Sequence, residues 1–319
     1  VPFAEWRPDT AALNSRFAAD VMNVLCADGF YRPFPQLKAL SAAVGGTPIG
    51  AITVRSSAGQ VSVFVGTAEK LYKLDNTDLT WTDVSKAGAT YGATADEKWC
   101  FEQFGDYVLA VNANDDPQVF DLVSGSAFDD LSGSPPKARI AKTCGDFLFL
   151  GNLTDHPARV HWSALNDITG WTPGTNNSDY QDFPDGGPVM GIKPGTDPIV
   201  IQRSAIRFGT FVPGSVEIFT FQKVQDGQGA AAMYSVCSRG NLAFYADTGG
   251  FFQIGIDGSM APIGFEKVDR WAFEAIDFSD VGAITGAVDP YHSRVYWSAK
   301  IGAENRLLIY DWLLQRWTQ

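Results

Sequence analysis

The chain has 319 residues, 45% of them hydrophobic, with a formal net charge of -12. That is enough apolar material for one large domain or two ordinary ones, while the acidic balance argues against direct neutralisation of nucleic-acid phosphates, which needs clustered Lys and Arg. The 32 glycines, 17 prolines and 13% aromatic residues, beside only 4 methionines, suit many short strands and turns and argue against a helical protein.

Cys26, Cys100, Cys144 and Cys237 lie far apart with no CxxC pair, so they read as buried thiols and not as a disulfide frame or a zinc site. No 18-residue apolar run occurs, so no membrane insertion is expected. The start at Val1 fits a removed initiator, and no charged-then-apolar signal pattern follows it.

Residues 1–49 differ from the rest and read as an N-terminal arm with an aromatic, proline-rich lead-in. Residues 9–24 carry the early helical spacing, with Leu13, Phe17, Val21 and Val24, although Asn14, Ser15 and Asn23 interrupt it. An arm that pairs with another element is the alternative. Then comes Gly29-Phe30-Tyr31-Arg32-Pro33-Phe34-Pro35, where two prolines hold the backbone extended. Its aromatics either cover an open edge of the domain or contact another subunit.

From residue 50 a rhythm sets in. Short apolar strands begin near 61 (VSVFVG), 107 (YVLAV), 147 (FLFL), 199 (IVI), 242 (LAFY) and 294 (RVYWS), each after a small polar turn and before a third strand. Four short strands per roughly 40–50 residues is the beat of a propeller blade. The expected fold is therefore all-β: a β-propeller over 50–319 with six four-stranded blades, preceded by an extended N-terminal arm. Two stacked sheets of a large sandwich are the alternative, but a sandwich does not predict the phrase that recurs here. That phrase runs from Leu74-Asp75 to Trp81-Thr82, reappears more loosely at Phe120-Asp121 and at Asp167 to Trp171, and closes the chain from Tyr310-Asp311 to Trp317-Thr318. It resembles the Asp-box turn of sialidases, with Leu79 where that motif has glycine, and the outer turn of the kelch blade without its double glycine. Both are structural turns.

The longest insertion, 173–187 (PGTNNSDYQDFPDGG), reads as a rim loop. Asp179, Asp182 and Asp185 stand at three-residue steps and could hold calcium, but the order is not that of an EF-hand and Tyr180 and Phe183 interleave. Partner contact is the preferred reading. A second excursion, 265–281, reads as a short helical turn between blades five and six.

No chemistry is singled out. His156, His161 and His292 form no metal-ligand motif, and there is no GxSxG elbow, P-loop or dinucleotide fingerprint. Glu102, Glu217, Glu266 and Glu274 stand alone and read as exposed strand residues. A sialidase-like enzyme would need Arg203 and Arg207 to converge with a carboxylate pair at the propeller axis. Lys137, Arg139 and Lys142 are the densest basic group, read as a solvated strand face in preference to a nucleic-acid grip. No catalytic residue, cofactor or metal is expected.

Asn23-Val24-Leu25 followed by Gly29 to Pro35 resembles the opening of tail hub, or nozzle, proteins of short-tailed bacteriophages, also called packaged-DNA stabilisation proteins. Residues 75–84, 161–174 (HWSALNDITGWTPG), 182–187 and 294–298 with 308–317 resemble related phage structural propellers. The resemblance implies a non-enzymatic virion protein of the tail, assembled in the host cytoplasm. It implies a ring, commonly a hexamer, below the portal and adaptor proteins. Such a ring extends the DNA channel, helps retain packaged DNA, carries fibres or spikes and meets DNA only as passing cargo during ejection. An acidic, non-adhesive channel wall fits that role. Candidate partner contacts are Trp6, Phe30, Tyr31, Phe34, Tyr180 and Phe183, because aromatic anchors set into irregular segments make interfaces. The rival is a receptor- or glycan-binding propeller at the tail periphery.

Overall fold

Strand lengths follow from alternation ended by tight polar turns. The computed structural model describes residues 4–11, 13, 15–280 and 282–319. It forms six four-stranded antiparallel sheets, each in simple up-and-down order, and a separate two-stranded hairpin. The hairpin is β1 (Val24–Ala27) and β2 (Phe30–Pro33). Blade one is β3 (Gly50–Arg55), β4 (Val61–Gly66), β5 (Leu71–Leu74) and β6 (Trp81–Asp83). Blade two is β7 (Cys100–Phe104), β8 (Tyr107–Val111), β9 (Gln118–Asp121) and β10 (Asp129–Asp130). Blade three is β11 (Ala138–Cys144), β12 (Phe147–Leu153), β13 (Arg159–Trp162) and β14 (Asp179–Asp182). Blade four is β15 (Val189–Lys193), β16 (Ile199–Gln202), β17 (Ala205–Phe211) and β18 (Phe219–Asp226). Blade five is β19 (Cys237–Arg239), β20 (Leu242–Asp247), β21 (Gly250–Gly255) and β22 (Met260–Pro262). Blade six is β23 (Ile284–Asp289), β24 (Arg294–Ile301), β25 (Glu304–Asp311) and β26 (Arg316–Thr318). The expected six-bladed propeller is the observed fold.

The chain forms two compact units, Val1–Leu37 with Val224–Gln319, and Lys38–Lys223. In the second unit the first strands of successive blades adjoin, β3 to β7, β7 to β11 and β11 to β15. Second strands are buried on both faces, and so they read as unbroken apolar runs. Strand β8 shows why: Val108 and Ala110 enter one core with Phe64 and Phe120, while Leu109 and Val111 enter the next with Leu148 and Trp171. In the first unit the core gathers Phe251, Trp297, Tyr310 and Trp317, with Trp297 and Trp317 stacked at 5.6 Å.

The recurring phrase is a carboxylate-locked turn. Asp167 accepts from Thr169 N at 2.8 Å and from its hydroxyl at 2.6 Å, and Trp171 then enters the core. Asp78 binds Thr80 in the same way. Aspartate does this because its short side chain reaches the backbone two residues on. Leu79 takes φ 59° here, the left-handed conformation that favours glycine. These bonds hold the Asp78 and Asp167 carboxyls below the usual carboxylate range.

Two expectations are corrected. Among the described residues of 9–24 there is no helix. The chain instead makes a parallel bridge between Trp6 and Ala18, with Arg7 N donating to Ala18 O at 3.0 Å and Ala18 N to Glu5 O at 2.9 Å. Leu13 is 87% exposed, so its helical spacing marks no buried face. The 173–187 insertion is not a free rim loop, because it contains β14, which pairs with β13 from Trp162–Asp179 to Arg159–Asp182. The short helical turn expected in 265–281 is α1 (Asp269–Phe273). All four cysteines are free thiols, and among the described residues no helix is long and apolar enough to cross a membrane.

Trp317 is fully buried, and its indole N–H reaches Ile263 O at 2.8 Å. Trp317→Ala is expected to destabilise the fold by about 3–5 kcal/mol, read as a lower urea midpoint. Trp81→Ala, which removes a half-buried ring at a blade edge, should shift the midpoint far less.

Candidate functional site

The outer strand of a blade leaves its backbone unpaired on one side. In the first unit, the hairpin lies along that side of β26: Val24 N donates to Gln319 O at 3.4 Å and the Thr318 hydroxyl donates to Val24 O at 2.9 Å. Buried Arg294 pairs with Asp311 at 3.5 Å and donates to Cys26 O at 3.2 Å. Tyr31 fastens the strap, accepting from Trp6 N at 2.8 Å and donating to Trp317 O at 3.3 Å. Burial pushes both the Cys26 thiol and the Tyr31 phenol up to about 12, so neither ionises near neutrality. In the second unit, Trp81 Nε1 donates to Ala42 O at 3.0 Å and Ala42 N to Leu79 O at 2.9 Å, so the next stretch of arm covers β6.

Of the six aromatic residues expected at a partner interface, two are buried in the chain. Trp6 is fully buried, packing edge-on against Trp271 at 5.2 Å, and Phe183 is 4% exposed beneath the Arg207 guanidinium. Neither offers a surface. Tyr31 is partly buried as the strap's fastener. Phe30 is 52% exposed, and Phe34 lines a groove of about 560 Å³ with Met22, Leu37, Arg306, Leu307 and Ile309. Tyr180 is 39% exposed on β14.

Around Tyr180 lies a second groove, of about 500 Å³, between β14 and β18. Arg159 grips Asp182 through two bonds of 2.8 and 2.7 Å and lies 3.7 Å over the Tyr180 ring. Arg207 holds Asp185 and, through Nε, Gln202 at 2.8 Å; Lys223 reaches Asp185 at 3.1 Å. The two cations pull the Asp185 carboxyl down to about 2. Asp182 and Asp185 are thus committed to cations, which removes the physical basis for the calcium reading. Among the described residues, no cluster of three or more His, Cys, Asp or Glu side chains forms. Arg207 is on the third strand β17, Asp185 lies in the connection from β14 to β15, and Arg203 is exposed in the turn between β16 and β17.

The basic trio is neutralised: Lys137 by Asp116 at 3.5 Å, Arg139 by Glu97 at 2.5 Å and Lys142 by Glu102 at 3.1 Å. His161 is buried between Trp171 and Tyr180, and burial and Arg159 lower its pKa. Sequence reasoning missed Arg159, whose contact with Tyr180 and Asp182 depends on the pairing of β13 with β14. The signal available was its place two residues before His161 in an alternating strand.

No protein-family model matches the chain, and no curated protein matches it. Among solved structures, a functionally unknown protein from Desulfotomaculum acetoxidans DSM 771 is 11% identical with a TM-score of 0.53, over 91% of this chain and 90% of that one. The computationally designed Ika8 protein is 12% identical with a TM-score of 0.49, over 86% and 81%. A chain of the Mitotic Checkpoint Complex is 9% identical with a TM-score of 0.46, over 87% and 84%. At these identities only the Desulfotomaculum structure bears on this chain, and it bears on the fold alone.

Two outcomes follow from the geometry. Tyr31→Phe removes the bridging hydroxyl and should lower stability by about 1 kcal/mol, measured by denaturant unfolding. Asp185 has a folded pKa below its unfolded value of 3.8, so its stabilisation is present above about pH 4 and is lost as pH falls toward about 2. Asp185→Asn should flatten that part of the acid-unfolding profile.

Proposed function

We propose that the chain is a non-enzymatic structural protein of a bacteriophage tail, a hub or nozzle subunit that assembles with copies of itself in a ring below the portal and adaptor. It would extend the DNA channel, help retain packaged DNA and carry fibres or spikes. The observation that carries this reading is the arm. The phrase from Asn23 to Pro35, which resembles the opening of that family, is the hairpin strapped to the last blade. The apolar residues Met22, Phe30 and Leu37 on the same stretch are 56%, 52% and 81% exposed. Exposed apolar side chains gathered on one segment mark a surface for a protein partner. The pairing of Lys137, Arg139 and Lys142 with carboxylates supports a wall past which DNA slides without adhering.

A second reading, a receptor- or glycan-binding propeller at the tail periphery, draws on the groove beside Tyr180, where an exposed ring held by Arg159 stands among carboxylates.

Cross-linking mass spectrometry on phage particles containing this chain separates the two. Cross-links from residues 1–40 to portal or adaptor proteins are expected, and Phe30→Ala should reduce ring assembly while leaving the fold intact. Cross-links only to fibres or spikes, with glycan-array binding lost on Tyr180→Ala, would favour the peripheral reading. Absence from the particle would sink both.

A further inference from the structure

Among the arm's contacts with the body of its unit, the one at α1 is made by a carboxylate. Asp9 accepts from Arg270 N at 3.0 Å and from Trp271 N at 2.8 Å, while its own N–H donates to Lys267 O at 3.1 Å. The residue immediately before these two donors is Asp269, the first residue of α1. Its side chain is 8% exposed and sits in a cradle of two glycines. A Cβ on Gly250 would stand 2.2 Å from Oδ2, and one on Gly264 would stand 1.8 Å from Oδ1. Space here exists for the carboxyl group and for little else.

The cradle gives that carboxyl little to balance a charge. Phe251 N donates to Oδ1 at 3.1 Å, and β21 presents no charged side chain beside Gly250 and Phe251. The nearby cations are engaged elsewhere: Lys267 Nζ with Glu5 at 2.9 Å and Gln315 O at 2.6 Å, and Arg270 Nη2 with Asp9 O at 2.9 Å. The hollow that Asp269 lines is shared with three carboxylates, Asp9 from the arm, Glu266 from the preceding loop and Glu274 after α1, and with the cation Arg270; β20 places a further carboxylate, Asp247, opposite Gly250. An ionised Asp269 is therefore buried with one hydrogen bond and the Asp9 charge acting against it, which is unfavourable.

We infer that Asp269 is a proton-sensitive latch for the N-terminal strap: neutral, it lets the Asp9 carboxylate rest on α1, and ionised, it drives residues 5–10 off. Burial pushes the Asp269 carboxyl up to about 7, the Phe251 N–H opposes this, and the Asp9 charge adds to the rise. With the strap open, the Asp9 charge no longer adds to that rise, so the Asp269 carboxyl falls. The closed form then holds a proton that the open form releases. The opening constant therefore rises as pH approaches about 7 and levels off above it. Opening frees Trp6 N from Tyr31 and loosens the cover over β26.

The test is hydrogen exchange on the complete chain between pH 5 and pH 8.5, corrected for intrinsic exchange, read at the amides of Asp9, Arg270 and Trp271. Their protection should be progressively lost as pH rises toward about 7 and then level off, while amides of β12 stay unchanged. Asp269→Asn keeps the shape of the side chain and should abolish the slope, leaving protection at pH 8 above that of the parent chain. An equal slope in Asp269→Asn, or none in the parent, overturns the latch. A carboxyl-carbon NMR titration of the unmutated chain gives an independent reading. A midpoint near 7 is expected for Asp269, and one in the ordinary carboxylate range overturns the inference without recourse to the variant.

Discussion

A propeller blade cannot satisfy its own outer strand. Each fourth strand leaves a row of N–H and C=O groups with no neighbour, and such an edge either finds cover or recruits another chain. Much of the irregular structure here answers that constraint. Strand β10 is two residues long and β14 is the acidic run DYQD, so neither offers a long apolar edge. Strand β22 ends on Pro262, which has no N–H to donate. The edges of β6 and β26 are covered by successive stretches of the arm. The covering is specific because it is polar: Tyr31 joins Trp6 to Trp317, and Trp81 joins the arm at Ala42. An aromatic side chain with a polar tip serves both needs, since its ring packs while its N–H or O–H meets a backbone group.

This division explains what could be read in advance. The second strands were legible because both of their faces are buried, so each prints an unbroken apolar run bounded by Gly-Asp or similar turns. VSVFVG matches β4 and YVLAV matches β8 residue for residue. The Asp-to-Trp phrase was legible because its interactions are local, with Asp167 and Thr169 two residues apart. Strand β14 was hidden: its side chains are mostly exposed, and its strand identity comes from pairing with β13, which no local pattern announces. Which of the two readings of residues 9–24 holds, a helix or an arm that pairs, was hidden for the same reason. Leu13, Phe17 and Val21 have helical spacing, but Trp6 and Ala18 pair across the intervening residues and tertiary packing overrides propensity. Trp6 and Phe183 looked like interface anchors because they sit in irregular segments. Irregular segments that cover an edge bury their aromatics inward, whereas Phe30, on the outer side of the hairpin, stays in contact with solvent.

The charge balance is likewise resolved by geometry. An acidic chain suggests a repulsive surface, yet its carboxylates fall into distinct populations. One locks turns: Asp78, Asp121, Asp167, Asp257 and Asp277 each bind a nearby Ser or Thr and are held below the usual carboxylate range. A second meets arginine or lysine, as Glu97, Glu102, Asp182 and Asp185 do. The turn-locking bonds, and the cations at Asp182 and Asp185, favour the ionised form and so stabilise the fold at neutral pH. Asp247 and Asp269 stand apart, since burial raises both, and Asp269 is the more deeply placed, in its glycine cradle. A buried carboxyl with one hydrogen bond is destabilising if ionised, and a fold that required only a filled cradle at Gly250 and Gly264 would be served as well by asparagine. The carboxyl differs from asparagine in one respect, that it can lose a proton, and the neighbour it would then repel is the residue that docks the arm.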